Sequence, residues 1–167
     1  MSMPKYKHLL SYRYAEMICD LNVVFCESHI DKRSRTFDQM IQAARSGKQN
    51  IIEGVIDSRT SSKIEIKLLG VAMGSFEELL ADYEDFLRQN HLTIWRKDDS
   101  RVEAFRKRAF QLSSLNNLSN IGDLKVKPKL PADPETAANL LLTLCHQVTY
   151  LLSKQVSAVE EKFVNEG

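Results

Sequence analysis

Apolar residues recur at helical spacing through most of the chain, and the seams they draw predict five helices. The first, over 5–29, carries Leu10, Tyr14, Met17, Leu21 and Val24 at steps of four and three, widened by Ile18 and Phe25. A polar break at 31–34 separates it from a second helix over 35–57, with Phe37, Ile41, Ala44, Ile51 and Val55 on one side. Ala43, Gly47 and Gly54 fall close to that stripe. Glycine inside a helix costs about 1 kcal/mol relative to alanine, so a packing reason is expected, and small side chains let another helix approach closely. After a break at 58–62, where Ser61 or Ser62 is placed to cap the next helix, a third helix over 63–89 presents Ile64, Leu68, Val71, Phe76, Leu79, Tyr83 and Phe86. Gly70 and Gly74 repeat the small-residue device one turn apart.

The pattern is less regular over 91–133. Leu92, Thr93, Ile94 and Trp95 are apolar enough to pack on the end of a bundle. A short basic helix over 101–115 either continues the third helix after a kink or folds back. The stretch 113–134, with Asn116, Asn117, Gly122, Pro128, Pro131 and Pro134, reads as a long irregular connection. Pro134 then opens the final helix, to about 164, at a favoured first-turn position. Its seam is Ala137, Leu141, Leu144, Val148, Leu151, Gln155, Val159 and Phe163. No strand-like alternation runs beyond a few residues. The expectation is one all-α domain over 1–167: an up-down-up-down four-helix bundle with a basic insertion at about 91–133 between its third and fourth helices. Tyr12, Phe25, Trp95 and Tyr150 lie off the cleanest seam lines, and surplus apolar surface of this kind predicts self-association.

Composition adds bounds. A chain of 167 residues with 43% apolar and 27% charged residues buries a core without a disulfide or metal staple. Cys19, Cys26 and Cys145 are odd in number and form no CxxC, against a secreted disulfide framework. The start resembles no signal peptide and no apolar run reaches a membrane span, so a cytoplasmic protein with no membrane partner is expected. A formal net charge of +1 excludes a molecule that attracts polyanions as a whole, though not through local patches.

Catalytic and metal chemistry find little footing. A di-iron bundle needs Glu-x-x-His pairs, yet Lys5, Cys26, Arg88 and Thr143 stand three residues before His8, His29, His91 and His146. Cys26 with His29, together with Cys145 and His146, contains zinc-ligand residue types. A buried thiol beside a surface imidazole is the preferred reading, since free cysteine behaves as a small hydrophobe. Phosphate loops, nucleophile elbows and HExxH motifs are missing. The acidic run Glu77, Glu78, Asp82, Glu84 and Asp85 reads as the solvated face of the third helix. No catalytic, cofactor or metal residues are therefore expected.

Positive charge is the more informative feature. Between 96 and 129, nine basic residues (Arg96, Lys97, Arg101, Arg106, Lys107, Arg108, Lys125, Lys127, Lys129) face four acidic ones (Asp98, Asp99, Glu103, Asp123). Lys32, Arg33, Arg35, Arg45, Lys48, Arg59 and Lys63 form a second set around the second helix, where Arg45 and Lys48 share a face. Such clustering is what phosphate contacts require. Arg33, Arg35, Arg45, Lys48, Arg59, Arg106, Lys107, Arg108, Lys125, Lys127 and Lys129 are the candidate contacts to structured RNA or DNA. A protein–protein adaptor or assembly scaffold that binds no nucleic acid is the alternative.

Gln42-Ala-Ala-Arg-Ser46, Asn50-Ile-Ile-Glu-Gly54, Glu65, Ala72, Gly74-Ser75 and Glu78-Leu79 resemble the bacterial four-helix-bundle family of 23S ribosomal RNA intervening-sequence proteins. The likeness spans about 35–87, and the tail beyond His91 is similar to a subgroup with a suffix segment. The resemblance implies a small cytoplasmic up-down-up-down bundle that assembles as a ring-shaped homopentamer and has no catalytic residues. In one branch, the accessory proteins of diversity-generating retroelements, it implies binding to nucleic acid and a reverse transcriptase through a basic surface. This chain departs from that branch by being nearly neutral, and from the shortest members by its long insertion. Physically, Asn50 and Glu53 read as a polar layer, with Ser75 as partner across the bundle and Gly54 and Gly74 as close-approach points.

Overall fold

Each polar break supplies a side chain that closes the first turn of the next helix. In this computed structural model, which describes residues 5–57, 61–114, 117 and 124–166, a 3-10 turn at Lys5–His8 precedes five α-helices. These are α1 (Leu10–His29), α2 (Arg35–Asp57), α3 (Ser62–Gln89), α4 (Ser100–Ser113) and α5 (Pro134–Glu166). The fold is all-α, with no strand among the described residues. Ser34 Oγ accepts from the Phe37 amide at 3.2 Å, Ser61 Oγ from Ile64 at 3.3 Å, Asp99 from Arg101 at 2.8 Å and Asp133 from Thr136 at 2.9 Å. Each bond occupies a first-turn N–H that lacks a helical partner.

The first helix is shorter than the seam predicts. Leu9 is extended, with no side-chain cap on α1, and the preceding turn is held instead by Arg13. This arginine is buried, and its guanidinium donates to Lys7 O at 2.9 Å and Ser113 O at 2.8 Å. It thus ties the N-terminal turn, α1 and the end of α4 together. The third helix ends at a Schellman motif: His91 takes a left-handed φ of 57° and the Leu92 amide donates to Leu87 O at 2.8 Å. That reversal makes α4 a separate helix that folds back onto α5 and α1 rather than prolonging α3.

α1 packs on α2 and α5, and α3 packs on α2 and α5. The core runs along Tyr14, Ile18, Leu21 and Phe25 of α1, Leu69, Ala72, Phe76, Leu79, Tyr83 and Leu87 of α3, and Leu141, Leu144, Cys145 and Val148 of α5. Several seam positions are corrected by about one residue. Val24, Ile64 and Val71 are 43% exposed or more; beside Val24 and Val71 the next residues, Phe25 and Ala72, 100° round the helix, take the core. The seam of α5 holds as far as Val159, whereas Phe163 is exposed. The reason is length. At 33 residues α5 extends about 50 Å, and Ser11 at the start of α1 already meets Gln155, 2.7 Å away. Tyr12, Phe25 and Trp95 are buried within the chain and leave no surplus surface. Tyr150 is exposed.

The glycines divide in the same way. A Cβ at Gly47 would stand 2.5 Å from a ring carbon of Phe76, so α2 and α3 do approach closely there. At Gly54 the nearest neighbour would be an ordinary 3.5 Å away, and at Gly70 and Gly74 nothing lies within 4 Å. The close-approach reading of Gly70 and Gly74 is therefore wrong inside one chain, since both face open space. The polar layer also moves. Fully buried Asn22 donates to Met40 O at 3.0 Å and accepts from the hydroxyl of Tyr83. Asn50 is half-buried and bonds back to Ser46 O at 2.8 Å, Ser75 reaches Ser46 Oγ at 3.2 Å, and Glu53 is exposed. Ser46, not Asn50, is the partner of Ser75.

Candidate functional site

The structure sorts the basic residues into engaged and free groups. Arg101 is clamped by Asp99, at 2.9 Å and 3.1 Å, and its guanidinium lies 3.6 Å above the Trp95 ring. Arg96 pairs with Asp98 at 3.2 Å, and Arg106 donates to Lys97 O at 3.2 Å and 3.3 Å. These bonds shape the segment before α4, and Arg106, held by a carbonyl, keeps its charge unpaired among the described residues. Lys107, Arg108, Lys125, Lys127 and Lys129 are exposed and make no ion pair among the described residues.

Asn117 ties the stretch that carries two of the free cations to the end of α4. Its amide donates to Leu112 O at 2.6 Å and to Val126 O at 3.2 Å, while its carbonyl accepts from the Val126 amide at 3.1 Å. The Lys125 amide adds a bond to Asn117 O at 2.6 Å. The stretch carrying Lys125 and Lys127 is thereby pinned to the last turn of α4, one turn beyond Lys107 and Arg108. Arg45 and Lys48 lie instead on α2 beside Cys19 of α1, where Glu16 and Asp20 also act on the thiol. Arg33 and Arg35 are exposed at the α1–α2 turn. The sequence grouping is thus split between elements, and Arg59 lies outside the described residues.

Beneath α4 is the largest feature that sequence reasoning missed. The first turns of α5 strap down the segment 93–95. Glu135 accepts from the Thr93 amide at 2.9 Å and from the Trp95 indole at 3.0 Å, while Asn139 accepts from the Trp95 amide at 2.9 Å. The Thr93 amide first, and the indole second, hold the Glu135 carboxyl below its usual range. With Trp95 fixed and Phe105 stacked 5.9 Å from it, α4 stands off α5 and leaves a cavity of about 960 Å³. Ile94, Val102, Phe110, Leu142, Tyr150 and Leu151 give it an apolar lining. Gln147 also lines it, and its side-chain oxygen is buried without a hydrogen-bond partner. Its signal in the sequence was Trp95 and Tyr150 lying off the seams.

The other chemical candidates do not converge. Among the described residues no three His, Cys, Asp or Glu side chains form a metal-binding group. Cys26 is buried against Asn22, His29 packs on Phe25 and Phe86, Cys145 is buried and His146 exposed. Burial pushes the Cys19 and Cys26 thiols up to about 12 and that of Cys145 up as well, so none is a ready thiolate. Glu77, Glu78 and Asp85 are exposed, as the sequence implies, whereas Asp82 and Glu84 are half-buried and burial raises the Asp82 carboxyl. No helix among the described residues is long and apolar enough to cross a membrane. No known protein family, curated protein or solved structure matches the chain.

Proposed function

We propose that the protein is a non-catalytic helical binding module that engages structured RNA or duplex DNA through the free basic edge at the end of α4. The observation that carries this reading is the Asn117 clip. It pins the segment of Lys125 and Lys127 to the end of the helix that carries Lys107 and Arg108, all four without a carboxylate partner among the described residues, whereas Arg96 and Arg101 are paired. Unpaired, solvated cations attract phosphates because each contact releases a condensed counterion. With a formal charge of only +1, attraction comes from this edge and not from the whole molecule.

The same reading takes α1, α2, α3 and α5 as an up-down-up-down bundle with the 91–133 segment as its insertion. The opposed contacts Asn22–Met40 and Cys19–Ala44, and the approach of Gly47 to Phe76, support that arrangement. It also takes the bundle to assemble with copies of itself, as the resemblance to the intervening-sequence proteins implies. The support is the open face of α3, where Gly70 and Gly74 meet nothing and Ile64 and Val71 are exposed. That face also favours a second reading, an adaptor that binds protein alone. Fluorescence anisotropy of labelled structured RNA and duplex DNA, titrated with protein at several salt concentrations, separates the two. Binding that weakens linearly in log salt supports the phosphate reading. No binding at low salt overturns it and leaves the adaptor.

A further inference from the structure

The cavity beneath α4 is built from residues that the basic edge does not use. Its volume of about 960 Å³ falls within the span of small-molecule pockets, roughly 300–1,000 Å³, which are mostly apolar with a few placed polar groups. The apolar groups in it are poorly covered by the chain itself: Phe110 is 59% and Tyr150 60% exposed, and both line it with Ile94. Water in contact with such side chains is displaced favourably by an apolar body.

Charge marks the rim. Lys97 and Arg106 line both the cavity and a shallow depression outside it, shared with Arg96, Asp98 and Glu103. The two bonds from Arg106 to Lys97 O hold the guanidinium in place, and its other N–H groups remain to donate. Among the described residues Glu84 is the one carboxylate on the cavity wall, and His146 the one imidazole. In the outer depression Asp98 is already paired with Arg96. Cations therefore outnumber carboxylates both at the wall and at the rim.

We propose that this cavity binds a small amphipathic anion, with its apolar body against Phe110, Tyr150 and Ile94 and its anionic group at Lys97 and Arg106. The site is separate from the nucleic-acid edge, since it uses neither Lys107, Arg108, Lys125 nor Lys127.

Two fluorescent probes test it on the full chain: the sulfonate 1-anilinonaphthalene-8-sulfonate and the uncharged N-phenyl-1-naphthylamine, each competed with dodecanoate or acetate. The expected result is one saturable site per chain for the sulfonate, displaced by dodecanoate and not by acetate. Arg106→Met and Lys97→Met should each weaken the sulfonate by about tenfold, as loss of a charge-assisted bond does, and leave the uncharged probe unchanged. His146→Trp, at an exposed position of α5 that lines the cavity, should block both probes, with a cooperative melt showing that the variant is folded. Saturable sulfonate binding that His146→Trp leaves intact overturns the site. Equal weakening of both probes by Arg106→Met overturns the anionic assignment, and no binding of either probe overturns the proposal as a whole.

Discussion

Replacing the glycines of α2 and α3 one at a time by alanine should produce effects of opposite sign, because they sit in different spaces. At Gly47 an added Cβ would lie 2.5, 2.6 and 2.9 Å from three ring carbons of Phe76, whereas carbon atoms prefer roughly 3.5–4.0 Å. Phe76 is fully buried, so relief requires α2 and α3 to part by about 1 Å, given that preferred separation. Overpacking costs about 1–3 kcal/mol, and three contacts inside 3.0 Å with a buried ring place Gly47 in the upper part of that range, about 2–3 kcal/mol, offset by about 1 kcal/mol from the better helix propensity of alanine. The net loss is about 1–2 kcal/mol, which for a chain of this size lowers the melting temperature by about 2–8 °C. Gly70→Ala and Gly74→Ala meet no neighbour and should each stabilise the monomer by up to about 1 kcal/mol. Gly54→Ala should be close to neutral. Urea and thermal unfolding followed by far-UV circular dichroism, over a range of protein concentrations, read all four. If the α3 face packs on a second copy, the gain at Gly70 and Gly74 turns into a loss that grows with concentration. A Gly47→Ala protein as stable as the parent would refute the packing argument.

Three further outcomes rest on named contacts. Tyr83→Phe leaves Asn22 Oδ1 with only the long 3.7 Å contact from the Cys26 thiol, and should cost about 1–3 kcal/mol in urea unfolding; an unchanged midpoint would remove the Asn22 layer as a stabilising element. His91→Gly relieves a left-handed residue and should stabilise by about 1 kcal/mol, read as a higher melting temperature; a lower one would contradict the Schellman end of α3. The Glu135 carboxyl is depressed in the fold, so its contribution is present above its ordinary value of 4.5 and is lost as pH falls through the lower folded value. The emission of Trp95, the single tryptophan, should therefore shift on acidification below that point, and Glu135→Gln should remove that component; an identical shift in the variant would assign it to Asp99 or Asp133, whose carboxyls are also depressed.

What was legible in the sequence was local. The helix starts at Ser61 and Pro134 and the break at 31–34 follow from capping and periodicity, and the structure has them there; the acidic run is solvated at Glu77, Glu78 and Asp85 but not at Asp82 and Glu84. Face assignment was less secure, because two adjacent residues on a helix differ by only 100°. Phe25, Leu69 and Ala72 won the core from Val24, Leu68 and Val71 on packing that depends on neighbouring helices. Gly47 and Gly70 look alike in sequence, and only the position of Phe76 tells them apart. The Asn22–Tyr83 contact joins residues 61 positions apart, and the cavity beneath α4 depends on Glu135 and Asn139 reaching back to Trp95 across 40 and 44. Neither has a local pattern. The candidate basic edge was half visible: its residues were, but the Asn117 clip that separates it from the α2 set was not.

The central claim, nucleic-acid engagement through the end of α4, is tested most directly by the salt dependence of binding in charge-removal variants. Each phosphate contact contributes about −0.9 to the slope of log K against log salt for duplex DNA. Neutralising Lys107, Arg108, Lys125 and Lys127 together should flatten that slope by about one for every phosphate those side chains hold, while Arg45→Ala with Lys48→Ala should leave it unchanged. The opposite pattern, with the α2 pair carrying the slope, or no binding by the parent protein at low salt, would contradict the account.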